Sequence, residues 1–292
     1  MKCLIIGGNR FVGLRLSLLL EALPEMDLHI LNRTGQAPHC KSATVYKGDR
    51  RSLPLTHLDR EWDVIIDFAT FNAAEAKASV EYFTRVGRYI FVSSISVYDH
   101  GVNLREEQFD PKTWNLQQAP DGHRPYQDGK RHAEAFLHQL AKFPVVSVRF
   151  PFILGPDDYT GRLKFHVDHA KSNEPIYVPN PKALISMIDS EDAARALAWL
   201  AESSLTGPLN VASPKPISLH HLFGQIQLVL GHEPVFADIE TPDNHSPYGV
   251  AADLAVNIDR LEKAGFKTRP LLDWLPQLIG EPQVDGSLRL IH

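Results

Sequence analysis

The first half of the chain alternates short apolar runs with segments whose apolar positions recur at helical spacing. The runs at residues 2–6, 28–31, 44–46, 64–68, 89–93 and 145–149 are rich in Ile, Val, Leu and Phe. Several are continuously apolar, which is the pattern of a strand covered on both faces. Between them, residues 11–23, 73–86 and 130–142 carry apolar positions along one helical face. This alternation predicts a parallel sheet with helices on both sides.

Beyond about residue 149 the pattern loosens. Residues 150–156 (Phe-Pro-Phe-Ile-Leu-Gly-Pro) read as a loop. A helix is expected at 164–172, a short apolar run at 176–178, and a helix capped by Ser190 with its body at 193–200. Residues 209–212 read as a strand. Ser218 caps a helix at 220–230, which Gly231 ends. Two short helices at 257–264 and 271–279, split by Pro270, complete the pattern. The expected organisation is a doubly wound sheet domain over residues 1–155, with return segments at about 185–215. Residues 156–292 form mainly a smaller C-terminal lobe.

Of 292 residues, 43% are hydrophobic and 22% charged, the balance of an ordinary soluble globular chain. The length allows one large domain or two unequal ones. A formal net charge of -5 argues against a nucleic-acid partner, since phosphate backbones are held by basic surfaces. The two cysteines, Cys3 and Cys40, make no disulfide framework. The N-terminal apolar run stops at Gly7 and is followed by Arg10 and Arg15, unlike a signal peptide. No run of about 18 apolar residues is present to span a membrane. A cytoplasmic location is expected.

Chemistry enters at the end of the first strand. Gly7, Gly8, Asn9, Arg10, Phe11, Val12 and Gly13 form a Gly-x-x-Gly-like turn that opens a helix, with Arg10 at the middle glycine position. Gly7 suits the tight turn, and Gly13 suits close packing of the helix on the sheet. The helix N-terminus offers unpaired N–H groups to a pyrophosphate. A Rossmann-type dinucleotide site follows from the turn and the strand–helix alternation together. Arg10 is tolerated there if it takes helical dihedrals. After the second strand, where NAD binders usually place an acid, the chain has Asn32 and Arg33. Arg33 can pair with a 2′-phosphate, which favours NADP over NAD. Asp49 after the third strand either accepts from the adenine amino group or caps the next turn. Phe68 and Ala69, at the end of the fourth strand, belong to the same cofactor edge.

Tyr126 and Lys130 are four apart and share a face on a helix. A nearby ammonium lowers a phenol's pKa, so Tyr126 is expected to exchange a proton with a carbonyl or carbinol. The fifth strand ends in Ser93-Ser94-Ile95-Ser96-Val97-Tyr98. Ser94 there stands at the carboxyl edge of the sheet, where open α/β folds bind ligands. Ser93 and Ser96 read as local backbone partners.

These motifs, in this order, resemble the short-chain dehydrogenase/reductase superfamily. The Ser-x-x-Val-Tyr run and the length are similar to its extended branch of nucleotide-sugar epimerases and dehydratases. The Gly-Gly-x-Arg-Phe start is similar to a divergent subgroup that also contains chloroplast stem-loop RNA-binding proteins. The resemblance implies a Tyr126 acid/base, a Lys130 that holds the ribose and tunes Tyr126, and Ser94 as the catalytic hydroxyl. It implies NADP or NAD, a small-molecule substrate and a homodimer. Phe152 departs from the Asn that often holds the sugar nucleotide. Specificity is expected in the loop at residues 99–125 and in the second-half lobe. No metal is expected, although His166 and His169 are three apart; with Arg162 and Lys164, His166 reads as a pocket rim or a solvated face. Glu106 and Glu107 read as a solvated pair, and Trp114 as a lid aromatic. The rival reading is a regulator or RNA-associated protein that binds cofactor without turnover.

Overall fold

Strand order decides where this molecule can bind a ligand. The computed structural model describes residues 1–53, 55, 58, 60–117, 123 and 125–282. Its first half runs β1 (Lys2–Ile6), α1 (Phe11–Glu21), β2 (Asp27–Asn32), β3 (Thr44–Lys47), β4 (Trp62–Asp67), α2 (Ala73–Tyr82), β5 (Val86–Ser94), β6 (Gly101–Leu104), α3 (Pro125–Leu140), β7 (Val145–Phe150) and β8 (Phe152–Leu154). The rest is α4 (Arg162–Ser172), β9 (Leu184–Ile185), β10 (Met187–Asp189), α5 (Ser190–Glu202), β11 (Gly207–Asn210), β12 (Ile217–Ser218), α6 (Leu219–Leu230), β13 (Leu254–Val256), α7 (Asp259–Lys263) and α8 (Leu275–Gly280).

The main sheet has the order β3-β2-β1-β4-β5-β7-β11, and every pairing in it is parallel. The chain winds outward from β1 to β3, then returns to β4 on the other side of β1. The reversal leaves a crevice above the carboxyl ends of β1 and β4, the usual ligand position in such sheets. Leu16 and Leu20 of α1 meet Ala193 and Leu197 of α5 over one face. Ala76 of α2 with Ala133 and Leu137 of α3 covers the other. A second apolar cluster joins α4, α6 and α8 through Leu163, Val167, Leu222, Ile226 and Leu275. It lies with a small sheet of order β12-β9-β13-β6.

The six predicted strands of the first half are the six first-half members of the main sheet. Other expectations change. Residues 152–154 form β8 and pair in parallel with β10 rather than looping. Residues 176–178 make only isolated bridges to residues 236 and 245. The cap of α5 is Asp189, whose carboxylate accepts from the N–H groups of Glu191 and Asp192, and Ser190 is the first helical residue. An acid accepts both N–H groups where one hydroxyl would reach fewer. Helix α2 stops at Tyr82, because the chain from Val86 is already β5. Helix α3 begins at Pro125, so Tyr126 lies in its first turn.

A buried polar network fixes the edge that carries α3. Arg149 on β7 and Glu134 on α3 are both fully buried and meet at 2.6 Å. Arg149 also donates to the Tyr98 hydroxyl, the Glu106 carbonyl and the Phe109 carbonyl. Glu134 accepts from Ser93 at 2.5 Å. Tyr98 donates to Asn210 on β11, whose N–H donates to the Glu106 carboxylate. Glu106 is therefore a buried member of the network, not half of a solvated pair. Glu107 is exposed.

Removing one member of a buried pair leaves an uncompensated charge, at a cost of about 3–5 kcal/mol. Arg149→Met should lose about that much in denaturant unfolding. The double variant Arg149→Met with Glu134→Leu should lose clearly less than the sum of the single variants. A loss below about 1 kcal/mol for Arg149→Met would remove the network's structural role.

His166 on α4 is fully buried, with Nδ1 donating to the Arg162 carbonyl and Nε2 accepting from Ser246. It is neither rim nor solvated face. Burial pushes its pKa down to about 4. The unfolded chain takes this proton near pH 6.5 and the folded chain only near pH 4. Its stability contribution is therefore complete above about pH 6.5 and is lost as pH falls towards 4, by about 3 kcal/mol. Unfolding free energy measured from pH 7 to pH 4.5 should fall less steeply for His166→Gln than for the wild type. Parallel curves would contradict this assignment.

Candidate active site

The turn after β1 is built by close approach. Gly7, Gly8 and Phe11 take φ values of 81°, 71° and 53°. A Cβ on Gly13 would lie 2.2 Å from Gly8 Cα and from Gly8 O, so only hydrogen fits between helix and turn. Arg10 stands at the helix cap with φ -141° and ψ 161°. Arg10 is accommodated in another way than through helical dihedrals: the residue is extended, which any side chain adopts, and Phe11 takes the left-handed conformation. Non-glycine residues in that region cost of order 1–3 kcal/mol and cluster at functional sites. The Phe68 ring lies against Gly8, and Ala69 against Gly7. Val12 is buried in the main core.

Asn9 and Asn32 tie this turn to the loop after β2. Both side-chain amides donate to the Gln36 carbonyl, at 2.7 and 3.0 Å. Asn32 Oδ1 also accepts from the Thr34 N–H, the Thr34 hydroxyl and the Gly35 N–H. Asn32 is thus a loop brace. Asn9 Oδ1 is buried and has no partner. Arg10 and Arg33 are exposed beside this edge. Asp49 caps the turn at Arg50–Ser52 and pairs with Arg51 at 2.8 Å. Hydrogen bonds from Arg51, with the more remote charge of Arg33, hold its carboxyl down at about 2. Of its two expected roles, the structure displays the cap.

Asp67 ends β4 and was not singled out from sequence. It is fully buried and accepts from Arg50, Thr70, Tyr89 and the Ala69 N–H. Burial alone would raise its pKa, but Arg50 and these hydrogen bonds keep it below the ordinary value. The carboxylate shapes the segment at residues 67–70, whose Thr70 carbonyl accepts from Lys130 at 2.8 Å. A Cβ on Gly129 would lie 2.4 Å from the Phe71 carbonyl oxygen. The glycine in Tyr126-Gln127-Asp128-Gly129-Lys130 thus allows α3 to lie against this segment.

Lys130 is 2% exposed and also donates to the Val92 carbonyl at 2.9 Å. Its ammonium lies over the rings of Phe71, Phe91 and Tyr126, at 4.6, 4.8 and 5.9 Å from their centroids. Burial lowers its pKa to about 8, against the pull of Asp67, Glu134 and Glu75. Gln127 and Arg131 donate to the carbonyls of Tyr98 and Val97, which fixes the end of β5 against α3. Ser94 there accepts from the Ser96 N–H, and its hydroxyl lies on the Tyr126 side, where it lowers the phenol's proton affinity.

The phenol's pKa departs from expectation. The residue is half-exposed, yet desolvation around its hydroxyl raises it above the ordinary tyrosine value, and the Ser94 hydroxyl and the Arg162 charge offset only part of that rise. Lys130 is not among the groups that shift it; the ammonium is directed towards the Thr70 and Val92 carbonyls. Tyr159 links the two halves of the site: its ring meets Phe11 edge-on at 6.3 Å, and its charge state acts on Tyr126. Trp114 packs on Phe109, His132 and Arg131 instead of lining the crevice. Residues 118–122 and 124, part of the expected specificity loop, lie outside the described residues. Among the described residues, no helix is long and apolar enough to cross a membrane.

A UDP-glucuronic acid 4-epimerase from Bacillus cereus, in complex with UDP-glucuronic acid and NAD, superposes with a TM-score of 0.74 at 15% identity, covering 96% of this chain and 99% of that one. The chain shares the Rossmann-type fold of that epimerase. A dTDP-glucose 4,6-dehydratase from Bacillus anthracis, in complex with NAD, matches with a TM-score of 0.72 at 17% identity, over 96% of this chain and 95% of that one. By sequence, the chain is 29% identical over 208 residues to a chloroplast stem-loop binding protein of 41 kDa from Arabidopsis thaliana. That match covers 64% of this chain and 51% of the relative, so it spans about half the relative's length. No protein-family model matches.

Gly13→Ala tests the cradle without touching the Tyr126 side. The added methyl must displace the Gly8 turn, and overpacking of this kind costs about 1–3 kcal/mol. The variant should stay folded with a lowered Tm and lose most of its affinity for nicotinamide dinucleotides in a fluorescence titration. Wild-type affinity would show that the turn is not a phosphate cradle.

Proposed function

We propose that the protein is an NAD(P)-dependent epimerase-, dehydratase- or reductase-type enzyme acting at a carbinol or carbonyl centre of a sugar-nucleotide-like substrate. The observation that carries this reading is the meeting of two parts at one sheet edge: the Gly13-dependent turn above the β1/β4 crevice, and Ser94, Tyr126 and Lys130 beside it. The turn, the uncommitted Asn9 Oδ1 and the exposed Arg10 and Arg33 fit a dinucleotide phosphate and its ribose. Phe68 and Ala69 line the crevice. Asn32 presents no acid to repel a 2′-phosphate, and Arg33 offers it a cation, which favours NADP over NAD. When bound, the nicotinamide ring supplies hydride acceptance and return.

The chain's own groups do the proton chemistry. Tyr126, with its hydroxyl on Ser94, takes the carbinol proton as the carbonyl forms and gives it back on reduction. Ser94 holds the same substrate oxygen. Lys130 has two of its three N–H donors committed to carbonyls. The third is free for a ribose hydroxyl, and the fixed charge stands on the phenol's side of α3. Tyr126 would give up its proton more readily with a positive charge beside its hydroxyl. Homodimerisation is part of the same proposal.

The sequence relative's name favours a second reading, binding of structured RNA. A net charge of -5 weighs against it. Two measurements separate the readings. Titration with NADPH and NADH, followed by nicotinamide fluorescence, should show tighter NADPH binding that weakens about tenfold or more in Arg33→Ala. Tyr126→Phe should keep that binding and lose turnover by about a hundredfold or more. Absence of dinucleotide binding, with salt-dependent binding of a stem-loop RNA, would replace the enzyme reading with the RNA one.

A further inference from the structure

Arg15 on α1 ties the turn after β1 to a loop in the second half of the chain. Its guanidinium pairs with Asp157 at 2.7 Å, and both side chains are largely buried. The same nitrogen donates to the Phe11 carbonyl at 3.2 Å. The guanidinium also lies 5.8 Å from the centroid of the Phe11 ring. Tyr159 meets that ring edge-on at 6.3 Å. Gly155 lies against it too, since a Cβ there would approach Phe11 Cε2 to 2.9 Å. Residues 155, 157 and 159 thus converge on Phe11 or on the arginine that holds it.

The loop at residues 155–161 is braced as a unit. The Asp158 N–H donates to the Gly155 carbonyl and the Gly161 N–H to the Asp158 carbonyl, both at 3.2 Å. Asp158 Oδ1 accepts from the Thr160 N–H and hydroxyl. Gly161 then caps α4 in the left-handed conformation. Leu163 and Val167 of α4 belong to the second apolar cluster, whereas Phe11 belongs to the main one. A shift of Phe11 is therefore passed to α4 through one short, stiff loop.

Phe11 is also the strained residue of the turn, with φ 53°. Such a conformation persists only where its surroundings over-determine it. The contacts to Arg15, Tyr159 and Gly155 are one set of constraints. A phosphate accepting from the N–H groups that open α1 is the other. A largely buried ion pair adds little net stability, so fixing one arrangement is the stronger reason for Arg15 and Asp157 to meet here.

We propose that Arg15 and Asp157 are positioning residues that make cofactor and substrate binding cooperative. Dinucleotide phosphates on the turn fix Phe11; Phe11 and Arg15 then fix the loop at residues 155–161 and the start of α4. The α4 side of the site is thus organised for substrate once the cofactor is in place. By linkage, the same clasp tightens dinucleotide binding. This inference rests on the reading of the turn as a dinucleotide cradle given above.

The test uses the full chain and hydrogen exchange, read by mass spectrometry over residues 155–161, with and without saturating NADPH or NADH. Wild type, Arg15→Met, Asp157→Asn and the double variant are compared, with Tm as the control for folding. Asp157→Asn, close in shape to the wild type, carries the test if Arg15→Met unfolds. In the wild type the dinucleotide should slow exchange of the loop about fivefold or more. In each saturated variant the slowing should shrink below about twofold, while the first turn of α1 stays protected. Dinucleotide affinity should weaken about fivefold in either single variant and no further in the double one, because both remove one interaction. A merely structural role would lower Tm and leave the slowing intact. If the loop of the wild type does not respond to bound dinucleotide, or responds equally in the variants, the proposal is wrong while the cofactor reading stands. If the wild type binds neither dinucleotide, the cofactor reading fails and takes this proposal with it.

Discussion

The ion pair of Arg149 and Glu134 is the constraint on which the α3 side of this molecule depends. Both charges are fully buried, so neither is retained for Coulomb energy alone; taking two ions out of water offsets most of their attraction. Their value lies in what they fix. Arg149 uses its five donors on Glu134, Tyr98 and two loop carbonyls. Glu134 binds Ser93, the neighbour of Ser94. One guanidinium thereby sets the distance from β7 to α3, the path of the chain leaving β5, and the stance of β11 through Tyr98 and Asn210. Tyr126 and Ser94 meet because α3 and the end of β5 are bolted to the same pair.

A second buried carboxylate does comparable work on the other side of the crevice. Asp67 gathers donors from Arg50, Tyr89, Thr70 and a backbone N–H. It thereby holds the Thr70 carbonyl where Lys130 binds it. The two networks differ in their outputs. Arg149 and Glu134 position the phenol and serine, while Asp67 positions the lysine. The Lys130 ammonium joins them, since it bridges the post-β4 segment and β5 through Thr70 and Val92.

The periodicity of the first half made the main sheet legible, because strands buried on both faces leave continuous apolar runs that few other structures produce. The turn, Ser94, Tyr126 and Lys130 were legible for a similar reason: their spacing is imposed by local geometry, a strand end or a helical turn. What stayed hidden is non-local. Glu106 has the composition of a surface acid, and only the fold brings it to the N–H of Asn210, 104 residues away. Asp67 and Arg50 read as ordinary charges at strand and loop ends. Residues 152–154 carry prolines and a glycine nearby and gave no strand pattern, yet β10 supplies a parallel partner from 35 residues downstream. His166 looked polar because its sequence neighbours are, although a helix turns it towards Ser246 and Tyr248.

The same distinction explains the misjudged pKa of Tyr126. Four-residue spacing on a helix establishes that two side chains share a face, but it does not establish where the charge on the longer one ends. Lys130 is drawn inward by two carbonyl oxygens whose positions depend on Asp67 and on β5. The phenol therefore feels burial more than it feels the ammonium. The cation that offsets part of that rise is Arg162, at the start of α4. Influence on the phenol is thus divided: the nearer cation is locked by the sheet, and the other stands at the start of α4 in the second half of the chain.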